Sequence, residues 1–316
     1  MNEQIETMEK LTENNAVKEN YATSAPPDPE AHGSPLITPQ GGCGTRGGSE
    51  GTESNRLGNG AASYVYAIGK VEARFPNLAA EKEFAQATSR ADEKKGTNQQ
   101  TFHAVLSQPG NRYLARQLCW VLSIQGLETY LLVPREPNDV DLLLEAIRSE
   151  PGPGEIDVVV GMRGPIAPPT MCNGLMVPMI IFDQIYSFDQ TKLIDAIPPP
   201  DKTTRTQFRP AAEEMFNRIM HMADNAGATD EHRALNYLAM RYPAIYTKTA
   251  EENAREFSLT GVEVLPSLLS GTRKIVDVVF GYTNRVSDFK EKFFVRVDVT
   301  EEFPFLVTKM SPYYDR

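Results

Sequence analysis

Histidine and cysteine are scarce in this chain, four and three respectively in 316 residues, and no two cysteines stand as Cys-x-x-Cys. That shortage argues against the closed zinc sites built from paired cysteines and histidines. Cys43, Cys119 and Cys172, odd in number and far apart, do not read as a disulfide framework. No uninterrupted apolar run approaches the roughly 20 residues that span a bilayer, so no membrane segment is expected. The opening residues Met1 to Lys10 lack the basic and apolar regions of a secretory signal, and the compartment expected is the cytoplasm. Excess positive charge is also missing: the formal net charge is -10, which leaves nucleic acid out as a partner of the protein as a whole. The run that follows the strand at Gly161, Gly161-Met-Arg-Gly-Pro-Ile-Ala-Pro-Pro, contains no Gly-x-Gly-x-x-Gly and no Walker lysine, so nucleotide binding has little support there. No Ser-His-Asp arrangement can be assigned either.

What is present is a globular composition, 41% hydrophobic and 23% charged, with 23 prolines and 22 glycines unevenly spread. Residues 1–62 are rich in Asn, Glu, Gly, Pro, Ser and Thr and poor in aromatics, the signature of a disordered N-terminal arm. Order begins at Ser63. Tyr64 to Val71 alternates as a strand, and Asn77 to Ala87 reads as a helix entered through Pro76, with Leu78, Phe84 and Ala85 as its apolar face. Asn111 to Ile124 carries Leu114, Leu118, Val121 and Leu122 at helical spacing and reads as a second helix. A strand from Thr129, a helix capped by Asn138, and strands at 156–162 and 178–183 follow. Strands alternating with helices make 63–197 a mixed α/β domain.

Residues 198–207, opening on Pro198-Pro-Pro-Asp-Lys-Thr-Thr, form a stiff Pro-rich linker. Beyond it, 208–316 reads as an α+β domain: an amphipathic helix from Pro210, a helix capped by Thr229, a more polar third helix, then a C-terminal antiparallel sheet. Its last three strands are centred on Ile275-Val-Asp-Val, Phe293-Phe-Val-Arg-Val-Asp and Phe305-Leu-Val. Apolar and aromatic residues persist almost to Arg316, so this end is expected to belong to the core. Strand alternation places Phe293, Val295 and Val297 inward against the helix bearing Phe216 and Ile219, and Phe294, Arg296 and Asp298 on the opposite face.

Candidate chemistry is thin. Zinc is the metal that Cys119, Cys172 and His103 would hold, with His221 and His232 as further ligands, but cysteine on an apolar stretch also serves as a small hydrophobe. Arg74, Arg163, Arg273 and Arg296 are candidates for gripping a peptide carboxylate, and equally for ordinary salt bridges. Paired carboxylates for acid–base work exist in sequence only as Glu72, Glu81 and Glu83, or as Glu301 with Glu302. The run from Gly161 to Cys172 follows a strand, where α/β domains often bind ligands.

Tyr64-Val-Tyr-Ala-Ile-Gly, Glu72-Ala-Arg-Phe-Pro, Glu81-Lys-Glu-Phe-Ala-Gln, Arg273-Lys-Ile-Val-Asp-Val and the Val-Asp-Val-Thr and Pro-Phe-Leu-Val segments downstream resemble the C-terminal region of PatG-type cyanobactin maturation proteins. The resemblance spans about residues 63–316. In that family the region follows a subtilisin-like domain that cleaves and macrocyclises ribosomally made peptides, and this chain has no counterpart of the protease. The resemblance implies a non-catalytic accessory protein of ribosomal peptide maturation, with a precursor peptide or a subtilisin-like maturation protease as partner. It also implies that zinc is within the family's reach, and self-association is a further expectation. The rival reading is a peptide-modifying enzyme, metal-dependent, with its site near residues 161–172.

Overall fold

The computed structural model describes residues 63–90, 98–147, 154–201 and 203–314. The N-terminal arm at 1–62, with Cys43, lies outside them. Nine strands and eight α-helices are present among the described residues.

The first part is a closed five-stranded barrel in the order β1-β2-β3-β5-β4. Its strands are β1 (Tyr64–Arg74), β2 (Cys119–Ile124), β3 (Leu127–Pro134), β4 (Glu155–Ile166) and β5 (Pro178–Asp189). All pairings are antiparallel except β3 with β5, so the sheet is mixed. β1 closes the barrel by changing partner along its length: Tyr64 to Gly69 pair with β4, and Lys70 to Arg74 with β2. At the changeover the ladder is patched by a side chain. Asp157, 1% exposed, accepts the Val71 N–H at 2.8 Å and the Ser187 hydroxyl at 2.5 Å. A buried carboxylate is tolerable only with such donors.

Helices α1 (Leu78–Arg90), α2 (Asn98–Leu106), α3 (Arg112–Gln117) and α4 (Val140–Ala146) surround the barrel's first core. On α1 the buried face is Ala80, Phe84 and Ala87, whereas Leu78 is 61% exposed, a rotation from the expected face. Phe75, Phe84 and Phe102 stack there, with ring centroids 4.7–5.4 Å apart. The helix expected over 111–124 is only α3; Cys119 onward is β2, buried at every position. A short apolar run buried on both faces carries no period that separates helix from strand. α4 is entered through Asp139 rather than Asn138, and the Asp139 carboxylate turns back to accept the Glu136 N–H at 2.7 Å.

The second part contains α5 (Gln190–Ala196), α6 (Arg205–Met220), α7 (Asp230–Arg241) and α8 (Ala244–Ala254). Four antiparallel strands follow in sequence order: β6 (Phe257–Pro266), β7 (Ile275–Asn284), β8 (Lys290–Asp298) and β9 (Phe305–Pro312). α6 starts five residues before Pro210 and carries that proline inside it. Gln207 returns its side chain to the Thr204 N–H at 3.1 Å, as a capping residue does. Thr229 caps α7 as expected, accepting the His232 N–H.

Val295 and Val297 are fully buried against Phe216, Ile219, Leu235 and Leu238. The same core takes in Tyr66, Ile68, Val158 and Val160, which point outward from the barrel, so residues on both sides of the Pro-rich connector share one apolar core. The junction is also hydrogen-bonded. Tyr66 donates its N–H to Gly227 O at 2.9 Å, and its carbonyl accepts from the Asn236 amide at 2.8 Å. Gly227 has φ +70°, and a Cβ there would meet Tyr66 O at 2.4 Å, so only glycine allows this approach.

Candidate functional site

The outer face of the C-terminal sheet, away from the helices, presents the built concavity. A β-bulge between Leu259 and Gly261 places Gly261 opposite Gly281. A Cβ on Gly261 would meet nothing within 4 Å, and one on Gly281 nothing nearer than Gly261 O at 3.7 Å, so these two positions leave bare backbone as the floor. Thr260, the extra residue of the bulge, bonds Thr283 hydroxyl to hydroxyl at 2.9 Å and fixes one end. Lys290, Lys292, Glu263, Tyr313 and Tyr314 rise around the floor and enclose a trough of about 810 Å³.

Tyr313 and Tyr314 also border a second hollow of about 510 Å³, lined by Leu265, Leu268, Phe294, Arg296 and Asp277. The ridge between the two is a ladder of rings and cations. The Lys292 ammonium stands 6.0 Å from the Tyr313 ring, Tyr313 meets Phe294 edge-on at 5.7 Å, and the Arg296 guanidinium lies 4.9 Å over Phe294. Arg296 is held there by Asp277, opposite it in the register, at 2.7 and 3.2 Å. Arg296 and Asp277 neutralise each other, and Lys290 stands exposed at the margin of the trough across from Glu263. Tyr314 is 80% exposed and Leu268 87%, an apolar rim of the kind that marks interaction surfaces.

The sheet's two edges differ. The β9 edge is already engaged: the Met310 N–H donates to the Tyr242 hydroxyl at 2.9 Å, beside the C-terminus of α7. β6 forms the opposite edge and borders the trough at Thr260, Gly261 and Glu263.

Of the arginines singled out from sequence, Arg296 lies at this face and the others do not. Arg74 is on the barrel, paired with Glu72 at 3.2 Å and with Glu128. Arg163 is exposed on β4, and Arg273 binds the Asp298 carboxylate. Asp298, expected on the exposed face, is 2% exposed. Burial alone would raise its pKa, but hydrogen bonds from Arg273 and Thr300 outweigh that and hold it below the usual carboxylate range.

The zinc assignment needs correcting for Cys119 and Cys172, because they form a disulfide with each other, 53 residues apart in sequence. A sulfur bonded to sulfur is not a thiolate, which is the form that binds zinc. His103 sits on α2, half-buried, and no three metal-ligating side chains gather anywhere among the described residues. The pairing was invisible in sequence because spacing does not encode which cysteines meet. Within 161–172, Gly161 has a packing reason: a Cβ would meet Ile181 O at 2.4 Å, where β4 crosses closely over β5.

Two polar clusters were missed. Arg233, 2% exposed, donates to the carbonyls of Val299, Glu301 and Glu302 and so pins the β8–β9 turn. Burial lowers its pKa from the usual value. Beside it Glu302 faces Asp183 of β5, and Arg135 lies 2.8 Å from Asp183 and 3.9 Å from Glu302. Burial, then the neighbouring Asp183, push Glu302 up to about 7. Glu301 and Glu302 were a candidate pair in sequence, but the true partner comes from another strand.

A closed barrel packed on a helix-backed antiparallel sheet is therefore the class of structure that carries this face. Residues 202–313 match the family model of the PatG C-terminal domain. A solved structure of a "PatG Domain of Unknown Function" has the same fold, with a TM-score of 0.66 and 21% sequence identity over 79% of this chain and 98% of that one. No curated protein matches the chain. No described helix is long and apolar enough to cross a membrane.

Proposed function

We propose that this protein is a binding module for an extended peptide bearing carboxylates, seated on the outer face of the C-terminal sheet. The observation that carries the reading is the facing pair Gly261 and Gly281, which leaves room for another backbone directly beneath Lys290, Lys292 and the two tyrosines. Glycine inside a strand commonly marks such an approach. The peptide lies across this face, with its backbone over the two glycines. Lys290 takes a carboxylate of the peptide, and Tyr313 and Tyr314 cover its apolar side chains. The match to the PatG C-terminal domain supports a place in cyanobactin-type peptide maturation, where the ligand is the precursor peptide, bound and presented rather than cleaved.

Fluorescence anisotropy of a labelled precursor-type peptide with the full chain tests this. Lys290→Ala should weaken binding ~10-fold, the effect of one lost charge-assisted contact, and Gly281→Val should do the same by filling the floor. Arg74→Ala, on the barrel, should leave affinity unchanged. Equal binding by all four proteins, or no difference between the acidic peptide and its Gln-substituted form, refutes the reading.

A further inference from the structure

We propose that the Cys119–Cys172 bond is a thiol-exchange site, opened by a dithiol, that latches the 167–177 loop onto the barrel wall. The two halves of the bond differ in setting. Cys119 is held in β2 at 5% exposure, whereas Cys172 is half-buried at the start of the turn Cys172–Gly174. Both residues line two separate hollows, each of about 270 Å³. One is apolar, walled by Trp120, Leu132, Val140, Leu143 and Met171. The other is bounded by Arg74, Glu128, Asn173 and Leu175. The bond is the partition between them, and each hollow gives an incoming thiol a way to the sulfurs.

The loop is otherwise self-contained. Its backbone hydrogen bonds are local: Met171 N–H to Pro168 O, Gly174 N–H to Met171 O, Leu175 N–H to Cys172 O, with Ala167 N–H to Val177 O at its base. Cys172, Asn173 and Gly174 have φ of +46°, +55° and +86°, a left-handed run in which the first two carry a Cβ. Such a conformation persists only where its surroundings impose it. Besides the disulfide, a small apolar cluster of Val121, Leu131, Ala167, Leu175, Val177 and Met179 holds the loop down. A covalent tie across so slight an interface sets the loop's position, and removing it lets the backbone relax.

The exchange balances as follows. A thiolate of the dithiol attacks Cys172 Sγ, the more accessible sulfur; the S–S bond breaks and its electron pair leaves on Cys119 Sγ, which takes up a proton. The reagent's second thiolate then attacks its own sulfur in the mixed disulfide, releasing Cys172 as a thiolate that is also protonated. Two electrons pass to the protein, and the dithiol becomes a disulfide. The loop lifts, the two hollows join, and Leu131 and Trp120 border the opened space.

The test uses the full chain under native conditions. Trp120 is its only tryptophan and lines the apolar hollow, so its emission reports the loop. Millimolar glutathione, a monothiol, should leave a mixed disulfide on the peptide containing Cys172 and none on that containing Cys119, read by mass spectrometry. Millimolar dithiothreitol should reduce the bond fully, raise and red-shift Trp120 emission, and leave the far-ultraviolet circular dichroism unchanged; reoxidation should restore the signal. The Cys119→Ser/Cys172→Ser variant should lose the thiol response. Three results overturn the proposal: a bond that survives dithiothreitol in the folded protein, glutathione found on Cys119, or reduction that unfolds the whole chain.

Discussion

Replacing Glu302 with Gln should make this protein more stable at pH 8. Glu302 meets Asp183 where the β8–β9 turn touches the barrel, and Arg135 is the cation beside both carboxyls. Burial, then the hydrogen bond and charge of Asp183, outweigh the opposing charges of Arg135 and Arg233, which is why Glu302 holds its proton up to about pH 7 against an ordinary value of 4.5. The native state thus keeps a proton that the unfolded chain releases at about 4.5. Stability from this group is complete below that value, falls as pH rises from about 4.5 to about 7, and is flat above. A shift of this size corresponds to about 3 kcal/mol at full effect. Glu302 and Asp183 keep 17% and 21% of their side chains exposed, and solvent screening brings the figure to ~1–2 kcal/mol. Gln keeps the shape, donates its amide to Asp183 at every pH, and carries no charge. Urea unfolding at pH 5, 6, 7 and 8 should show the wild type losing stability across this range and Glu302→Gln losing less, with the variant ahead by ~1–2 kcal/mol at pH 8. A variant that is less stable at pH 8, or that keeps the wild-type slope, refutes the argument.

Val295→Asp places a carboxylate in a fully buried position with no basic partner in its core and should cost ~4 kcal/mol or more, enough to abolish the cooperative thermal transition. Arg273→Ala leaves the buried Asp298 without its guanidinium and should cost ~1–3 kcal/mol at pH 7. Because Asp298 has a depressed pKa, its stabilisation is present above its ordinary value of 3.8 and is lost as pH falls through its folded value. The gap between wild type and Arg273→Ala in thermal unfolding should therefore close toward pH 3; a gap that stays constant with pH counts against the ion pair.

What sequence revealed and what it hid follow one physical division. Val295 and Val297 were placed correctly because a strand with one buried face has a period of two, and that period fixes the side without any knowledge of the partner. The α7 start was correct for the same local reason: Thr229 offers its hydroxyl to an amide three residues away. Cys119 to Ile124 failed because both faces of β2 are covered, so all but Ser123 are apolar and the period disappears. Asp298 failed differently: alternation put it outside, but Arg273, 25 residues away in sequence, folds over it and makes burial tolerable.

The candidate face repeats this division at the level of function. Sequence offers Arg296 as a charge for a ligand, yet its charge is taken by Asp277, and beside the trough it packs over the Phe294 ring. The recognition surface depends instead on residues with no chemical signature of their own: Gly261 and Gly281, which matter only because the bulge at Thr260 sets them opposite each other. Spacing cannot report that register, since one residue more or less in β6 would turn the glycine away from the trough. Pairing Thr260 regularly with Gly281 would instead set Gly261 opposite Phe280 and rotate β6 by one position beyond that point. A face built from register is lost by that change even though every lysine and tyrosine around it remains.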